Sequence, residues 1–242
     1  MATAAGVAYF VWFLWTGPSR LNLRLRDLRL RREMLHDILR VGAVAMISPL
    51  QSVLAVLIFT GLIARLGTDA LAGYGIGQRL EFLLIPIAFG IGVASVPMVG
   101  MAIGAGKVVR ARRVAWTAGT LSAVNLAVIG LWVSLAPEQW AGLFTHNADV
   151  LAHACRYLVI AGPAFPFFGM GLTLYFASQG SGKVLGPVLA GTLRLALVAG
   201  VGGWLVTTGL GADAYFWLVA AAMVLYGLST VLLVRMTRWV RT

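Results

Sequence analysis

Acidic side chains are scarce in this chain. Eight Asp and Glu face nineteen Lys and Arg among 242 residues, and charged residues of either sign make up 11% of the whole against 60% apolar. A soluble domain carries charge at about a quarter of its positions, so these residues make a poor water-facing surface. Cysteine is nearly missing as well. Cys155 stands alone, which excludes an internal disulfide and a cysteine-cluster metal site, and it reads as a small apolar residue near a helix start. The three histidines, His36, His146 and His153, lie in or beside loops without metal-ligand spacing. There is no G-x-S-x-G and no H-E-x-x-H. The run Gln179-Gly180-Ser181-Gly182-Lys183 lacks the spacing of a phosphate loop, and no strand precedes it. No catalytic, cofactor-binding or metal-binding residue is assigned, and the chain does not read as an enzyme.

What is abundant is apolar sequence in long runs. Six of them follow one another, at about Ile38–Ala64, Ala70–Ile103, Val114–Leu135, Leu151–Ala177, Val184–Val206 and Tyr215–Val234. Each matches or exceeds the ~20 residues that an α-helix needs to cross a ~30 Å hydrocarbon core. The connections between them alternate in charge. Seven arginines lie in Pro18–Arg40, a lysine and three arginines in Gly106–Arg113, Lys183 in Ser178–Pro187 and three arginines in Arg235–Thr242. Arg65–Leu71, Pro137–Val150 and Thr207–Tyr215 hold Asp69, Glu138, Asp149 and Asp213, with Arg65 as the only clear positive charge. Cytoplasmic loops collect Lys and Arg, so the alternation predicts six crossings with the C-terminus cytoplasmic. Fifteen of the nineteen basic residues sit in that one set of connections. This pattern points to topology and contact with membrane lipids, not to nucleic acid.

The fold class is therefore an all-α polytopic membrane protein, a six-helix lobe with a partial helix before it. Residues 1–16 hold about a dozen apolar positions, too few to span, and no basic segment precedes them as in a signal peptide. They read as the end of a truncated helix, with an interfacial anchor as the alternative. Residues 17–37 form a basic cytoplasmic linker, 38–237 the lobe and 238–242 a cytoplasmic tail.

Pro49, Pro86, Pro97, Pro163 and Pro166 fall inside the apolar runs, where each removes an amide donor and invites a kink. Gly73–Gly77 and Gly100–Gly104 have the spacing that lets helices approach closely. Trp132, Trp140, Trp204, Trp217 and Trp239 fall near helix ends, where an aromatic belt is expected.

Charge within a span is costly and marks candidate positions. Glu81 is the only carboxylate inside an expected span, about 18 Å along its helix from Asp69. Arg194 lies at similar depth on another helix, and Arg79 is two residues away. Three readings stand for Glu81: a proton- or cation-responsive group countered by Arg194 or Arg79, a permanently ionised structural pair, or a residue at the outer interface. Gln51 and Ser52 follow Pro49, where an unwound stretch could line a cavity, or Gln51 simply bonds across helices. Asn125 carries the same alternatives. Tyr175 lies toward the cytoplasmic end of the fourth span. Gln51, Arg79, Glu81, Asn125, Tyr175 and Arg194 are thus the candidates for a substrate or ion pathway.

The segment Gly73-Tyr74-Gly75-Ile76-Gly77-Gln78-Arg79-Leu80-Glu81-Phe82, followed by Val99-Gly100 through Gly104-Ala105-Gly106, resembles the second helix of a lobe in multidrug and toxic compound extrusion (MATE) transporters. Leu143-Phe144-Thr145, Tyr157 to Ile160, Pro166-Phe167-Phe168-Gly169 and Gln179-Gly180-Ser181-Gly182 continue the likeness in order, closer to the DNA-damage-inducible-protein branch. The resemblance implies the second of two six-helix lobes, with the N-terminal six-helix lobe missing upstream. It implies export of small organic, often cationic, compounds across a cell inner membrane in exchange for protons or sodium ions. The acidic residues that sodium-coupled members carry in this lobe have no counterpart at Gln51-Ser52 or Gly169–Gly171. A lipid-linked oligosaccharide flippase and a non-transporting membrane fragment are the alternatives.

Overall fold

The computed structural model describes residues 6–7, 9, 12–13, 32–237 and 239. Most of the expected truncated helix, of the basic linker and of the tail lies outside them. The chain divides into two units, Met1–Arg40 and Val41–Thr242. The second contains the helices and the cavity described below, apart from the first residues of α1.

Among the described residues from Arg32 onward, eight helices occur in order: α1 (Arg32–Ala64), α2 (Thr68–Gly104), α3 (Val108–Leu135), the short α4 (Pro137–Ala141), α5 (Ala148–Ala161), α6 (Phe165–Gly180), α7 (Leu185–Thr208) and α8 (Ala212–Met236), with a 3-10 turn at Gly162–Ala164 between α5 and α6. Six stretches are long and apolar enough to cross a membrane: Gly42–Ala64, Thr68–Gly104, Val108–Leu135, Ala148–Gly180, Leu185–Thr208 and Ala212–Met236. These are the six expected spans, with ends that differ by a few residues: the first starts at Gly42 instead of Ile38, and the others extend further at one or both ends. No strand occurs among the described residues. α1 begins at Arg32, inside the expected linker, because Arg32 to Asp37 holds no glycine or proline to stop a helix.

Local chemistry sets the boundaries. The connections after α1, α2, α6 and α7 each hold a glycine with positive φ, at Gly67, Gly106, Gly182 and Gly209, a conformation that costs a residue without Cβ little. Asn147 caps α5, its side-chain oxygen accepting from the amides of Asp149 at 2.9 Å and Val150 at 3.4 Å, which satisfies two of the helix's free donors. The fourth span is interrupted where Gly162-Pro163 cannot continue the α-helical ladder. The other prolines do less. Pro49, Pro86 and Pro97 all lie within continuous helices.

Within lipid, helices associate through close packing more than through hydrophobic burial. The helices pack most extensively as α2 against α3, α5 and α6, α3 against α6, and α8 against α6 and α7; α1 is held instead by individual side chains. At the α2–α5 contact, a Cβ on Gly73 would come within 2.6 Å of His153 Cβ and 2.8 Å of the Ala154 amide. One turn on, Gly77 leaves the space that the Tyr157 ring occupies. The Gly73–Gly77 spacing thus serves the close approach that it suggested. Of the pair Gly100–Gly104, Gly100 alone has a neighbour, the Gly180 carbonyl. Trp132, Trp204 and Trp217 are exposed. The other two tryptophans of the expected belt turn inward. The Trp140 indole donates to the Ile76 carbonyl at 3.2 Å, and Trp239 is buried.

Candidate functional site

α1, α2, α6, α7 and α8 wall a cavity of about 270 Å³ deep in the bundle. Ser48, Pro49, Ser52 and Val56 form the α1 wall, and Gln78, Glu81, Phe82, Ile85 and Phe89 the α2 wall. Opposite stand Phe168, Leu172, Tyr175 and Phe176 of α6, Arg194 of α7 and Tyr226 of α8. Glu81, Arg194 and Tyr226 are each at least nine residues from either end of their helices, which at 1.5 Å per residue is about 13 Å or more. That depth suits a midplane site.

Glu81 is reached from α5. The Tyr157 ring fits against Gly77, and its hydroxyl donates to Glu81 Oε1 one helical turn further along α2. Edge-on contacts fix the ring, with centroids 5.3 Å from both Tyr74 and Phe216. Tyr74 in turn accepts from Gln78 Nε2 at 2.9 Å. The carboxylate is therefore held in place by a neutral donor.

Arg194 has no ion-pair partner. Its guanidinium lies 5.7 Å from the ring centroids of both Phe168 and Tyr226, and its buried Nε has no acceptor among the described residues. Glu81 and Arg194 line one cavity, yet the sole ion pair among the described residues is Arg156–Asp213, at 2.7 Å and half-exposed. The direct pairing expected between Glu81 and Arg194 or Arg79 does not form. Holding a charge near mid-membrane costs about 3 kcal/mol, and these two ionisable groups share one cavity without direct contact. Both are left facing the cavity.

The remaining candidates separate. Tyr175 lines the cavity and donates to the Ala45 carbonyl at 2.8 Å. Gln51 sits beside the cavity on an unbroken helix, so the unwound stretch does not occur. Its Nε2 donates to Thr192 Oγ1 at 2.7 Å, bonding α1 to α7, while its Oε1 is buried without a partner. Arg79 lies outside the cavity, its guanidinium 5.0 Å from the Phe144 ring centroid. Asn125 is exposed on α3 and donates to the Leu121 carbonyl of its own helix at 2.8 Å. Arg156 of α5 pairs with Asp213 of α8. Tyr157, Phe168 and Tyr226 were not singled out as site residues. No local pattern in the sequence marks them.

Such a cavity offers an organic cation one carboxylate and several aromatic faces, and it offers an oxygen-bearing group one guanidinium. Comparison with known proteins decides the family. Residues 44–205 match the family model described as MatE. The chain belongs to the MATE family. It is 30% identical over 222 residues to the multidrug resistance protein NorM of Burkholderia vietnamiensis, covering 88% of this chain and 47% of that protein. It is 29% identical over 153 residues to a probable NorM of Thermotoga maritima, covering 63% of this chain and 33% of that protein. The chain spans about half the length, or less, of these curated MATE relatives. Its fold is that of a solved MATE protein in the bent conformation, with a TM-score of 0.86 at 20% identity over 95% of this chain and 52% of that one. The fold and the multi-pass membrane character expected from the apolar runs are those of the MATE family.

Proposed function

We propose that the chain is the C-terminal lobe of a MATE-type secondary antiporter in a bacterial-type inner membrane. Its C-terminus is cytoplasmic, and its cavity takes small organic, often cationic, compounds that leave the cell in exchange for protons. A preceding six-helix lobe completes the substrate path. The observation that carries this reading is Glu81, the one carboxylate lining the midplane cavity, presented among aromatic rings and held by the Tyr157 hydroxyl. A carboxylate in that setting attracts an organic cation, and the rings add cation–π attraction. Protonation cancels the charge, so proton uptake and cation release are coupled through one group.

The groups facing Glu81 support protons over sodium. Tyr157 comes from α5, and Tyr175, Arg194 and Tyr226 share the cavity from α6, α7 and α8. Among the described residues, no second carboxylate lines the cavity to complete an oxygen cage of the kind that sodium favours. A lipid-linked oligosaccharide flippase would need several positive charges within the spans for a pyrophosphate headgroup, and the candidates are Arg79, Arg156 and Arg194. Arg79 and Arg156 lie outside the cavity, which leaves a pyrophosphate headgroup a single guanidinium.

Efflux of an ethidium-like dye from cells expressing the two-lobe transporter tests the reading. Dye export that a protonophore abolishes supports it. Scrambling of lipid-linked oligosaccharide without dye export contradicts it.

A further inference from the structure

Two hollows on the surface of α2 and α3 are continuous. One, of about 560 Å³, runs between the helices along Gly90, Ala94, Met98, Thr117, Ala118 and Leu121. The other, of about 660 Å³, lies at the start of α3 among Lys107, Arg110 and Arg113. They share Arg113 and Val114. Helical spacing produces this arrangement. Arg110, Arg113, Thr117 and Leu121 follow at intervals of three and four, which places them in one stripe along α3. Gly90, Ala94 and Met98 form the facing stripe on α2. Small side chains hollow the groove, and a Cβ on Gly90 would meet nothing within 4 Å. This glycine opens space instead of closing a contact.

The dimensions and charge fit a lipid. Eight residues separate Gly90 from Met98 and Arg113 from Leu121, about 12 Å at 1.5 Å per residue. That is most of one leaflet of a ~30 Å hydrocarbon core. The basic end lies where α2 turns into α3, the level of the lipid phosphates. Lys107, Arg110 and Arg113 are exposed and have no hydrogen-bond or ion-pair partner among the described residues. Their neighbour Arg112 differs, since it donates to the Arg235 carbonyl at 2.8 Å. Basic pockets between transmembrane helices hold anionic headgroups. We propose that this groove binds one anionic phospholipid, its phosphate among Lys107, Arg110 and Arg113 and one acyl chain lying between α2 and α3. The site is separate from the midplane cavity and does not depend on the transport reading.

Native mass spectrometry of the 242-residue chain in micelles tests it, with phosphatidylglycerol and phosphatidylcholine as probes. The chain should retain one phosphatidylglycerol at ratios where phosphatidylcholine is lost. Lys107→Gln, Arg110→Gln and Arg113→Gln should reduce that preference by about fivefold per charge removed. Arg112→Gln, the same charge change outside the groove, should leave it within about twofold, since its contribution is screened by water and salt. Ala94→Trp fills the groove and should abolish retention, with unchanged helicity by circular dichroism showing that the chain still folds. Equal retention of the two lipids overturns the proposal. So does a preference that survives loss of all three charges, or displacement of the lipid by glycerol phosphate at matched concentration. Loss of the site in a longer chain carrying a preceding lobe would assign the groove to that lobe, and also overturns it.

Discussion

The Tyr175 hydroxyl donates to the carbonyl of Ala45 at 2.8 Å, and Ala45 is the residue whose helical partner would be the amide that Pro49 lacks. Proline at position 49 frees the carbonyl four residues earlier, and a side chain from α6 satisfies it. This explains how α1 runs unbroken through Pro49 beside a cavity. It also gives Tyr175 a structural task in addition to its place in the lining.

This relationship predicts a coupling. Tyr175→Phe should cost about 1 kcal/mol in the native sequence, the scale of an interhelical hydrogen bond in a membrane protein. In a Pro49→Ala background the new amide takes the Ala45 carbonyl, and the same substitution should cost close to nothing. A double-mutant cycle on unfolding in mixed micelles measures the difference.

Neighbouring glycines of α2 should respond with opposite signs. A Cβ at Gly77 collides with the Tyr157 ring, whereas one at Gly75 meets nothing within 4 Å. Gly77→Ala should destabilise by about 1–3 kcal/mol and loosen Tyr157 from Glu81. Gly75→Ala should be neutral or stabilising by up to about 1 kcal/mol. Thermal denaturation of the two variants in one detergent checks both.

Arg194 faces the cavity unpaired, so its removal should separate stability from binding. Arg194→Met discards a half-buried charge with no ion-pair partner and should leave thermal stability unchanged or higher. Cationic dyes should then bind more tightly, on the order of tenfold, because a like charge has gone from a low-dielectric cavity. Dyes that carry a carboxylate should bind more weakly. Fluorescence titration with one dye of each kind reads both effects.

Asn125 supplies a negative case. Its amide is exposed and serves its own helix at Leu121. Asn125→Ala should therefore leave dye binding within about twofold and stability within about 0.5 kcal/mol.

The architecture was legible because membrane insertion writes itself into composition. Spans must be long and apolar, arginine stays at one boundary, and Gly162-Pro163 ends a helical ladder wherever it occurs. Glu81 and Arg194 stood out for a related reason, since charge at that depth is expensive. Facing was harder to read. Asn125 and Gln51 are equally polar at similar depth, but nothing in a uniformly apolar helix tells which side meets lipid. One proved exposed and the other bonds to Thr192. Pro49 suggested unwinding, which Tyr175 prevents from 126 residues away along the chain. Tyr157 could not be matched to Glu81 for the same reason, their separation being 76 residues. Contacts made by folding across such distances leave no local pattern.

In the proposed mechanism, Glu81, deep in the cavity and held by Tyr157, is where organic cation and proton compete. The most direct measurement is the affinity of the purified chain for an ethidium-like cation as pH is lowered, for the native protein and for Glu81→Gln. Protonation removes the charge that attracts the cation. The native affinity should therefore fall with falling pH, while the variant binds weakly at every pH with no slope. Two parallel curves of equal slope would contradict the account.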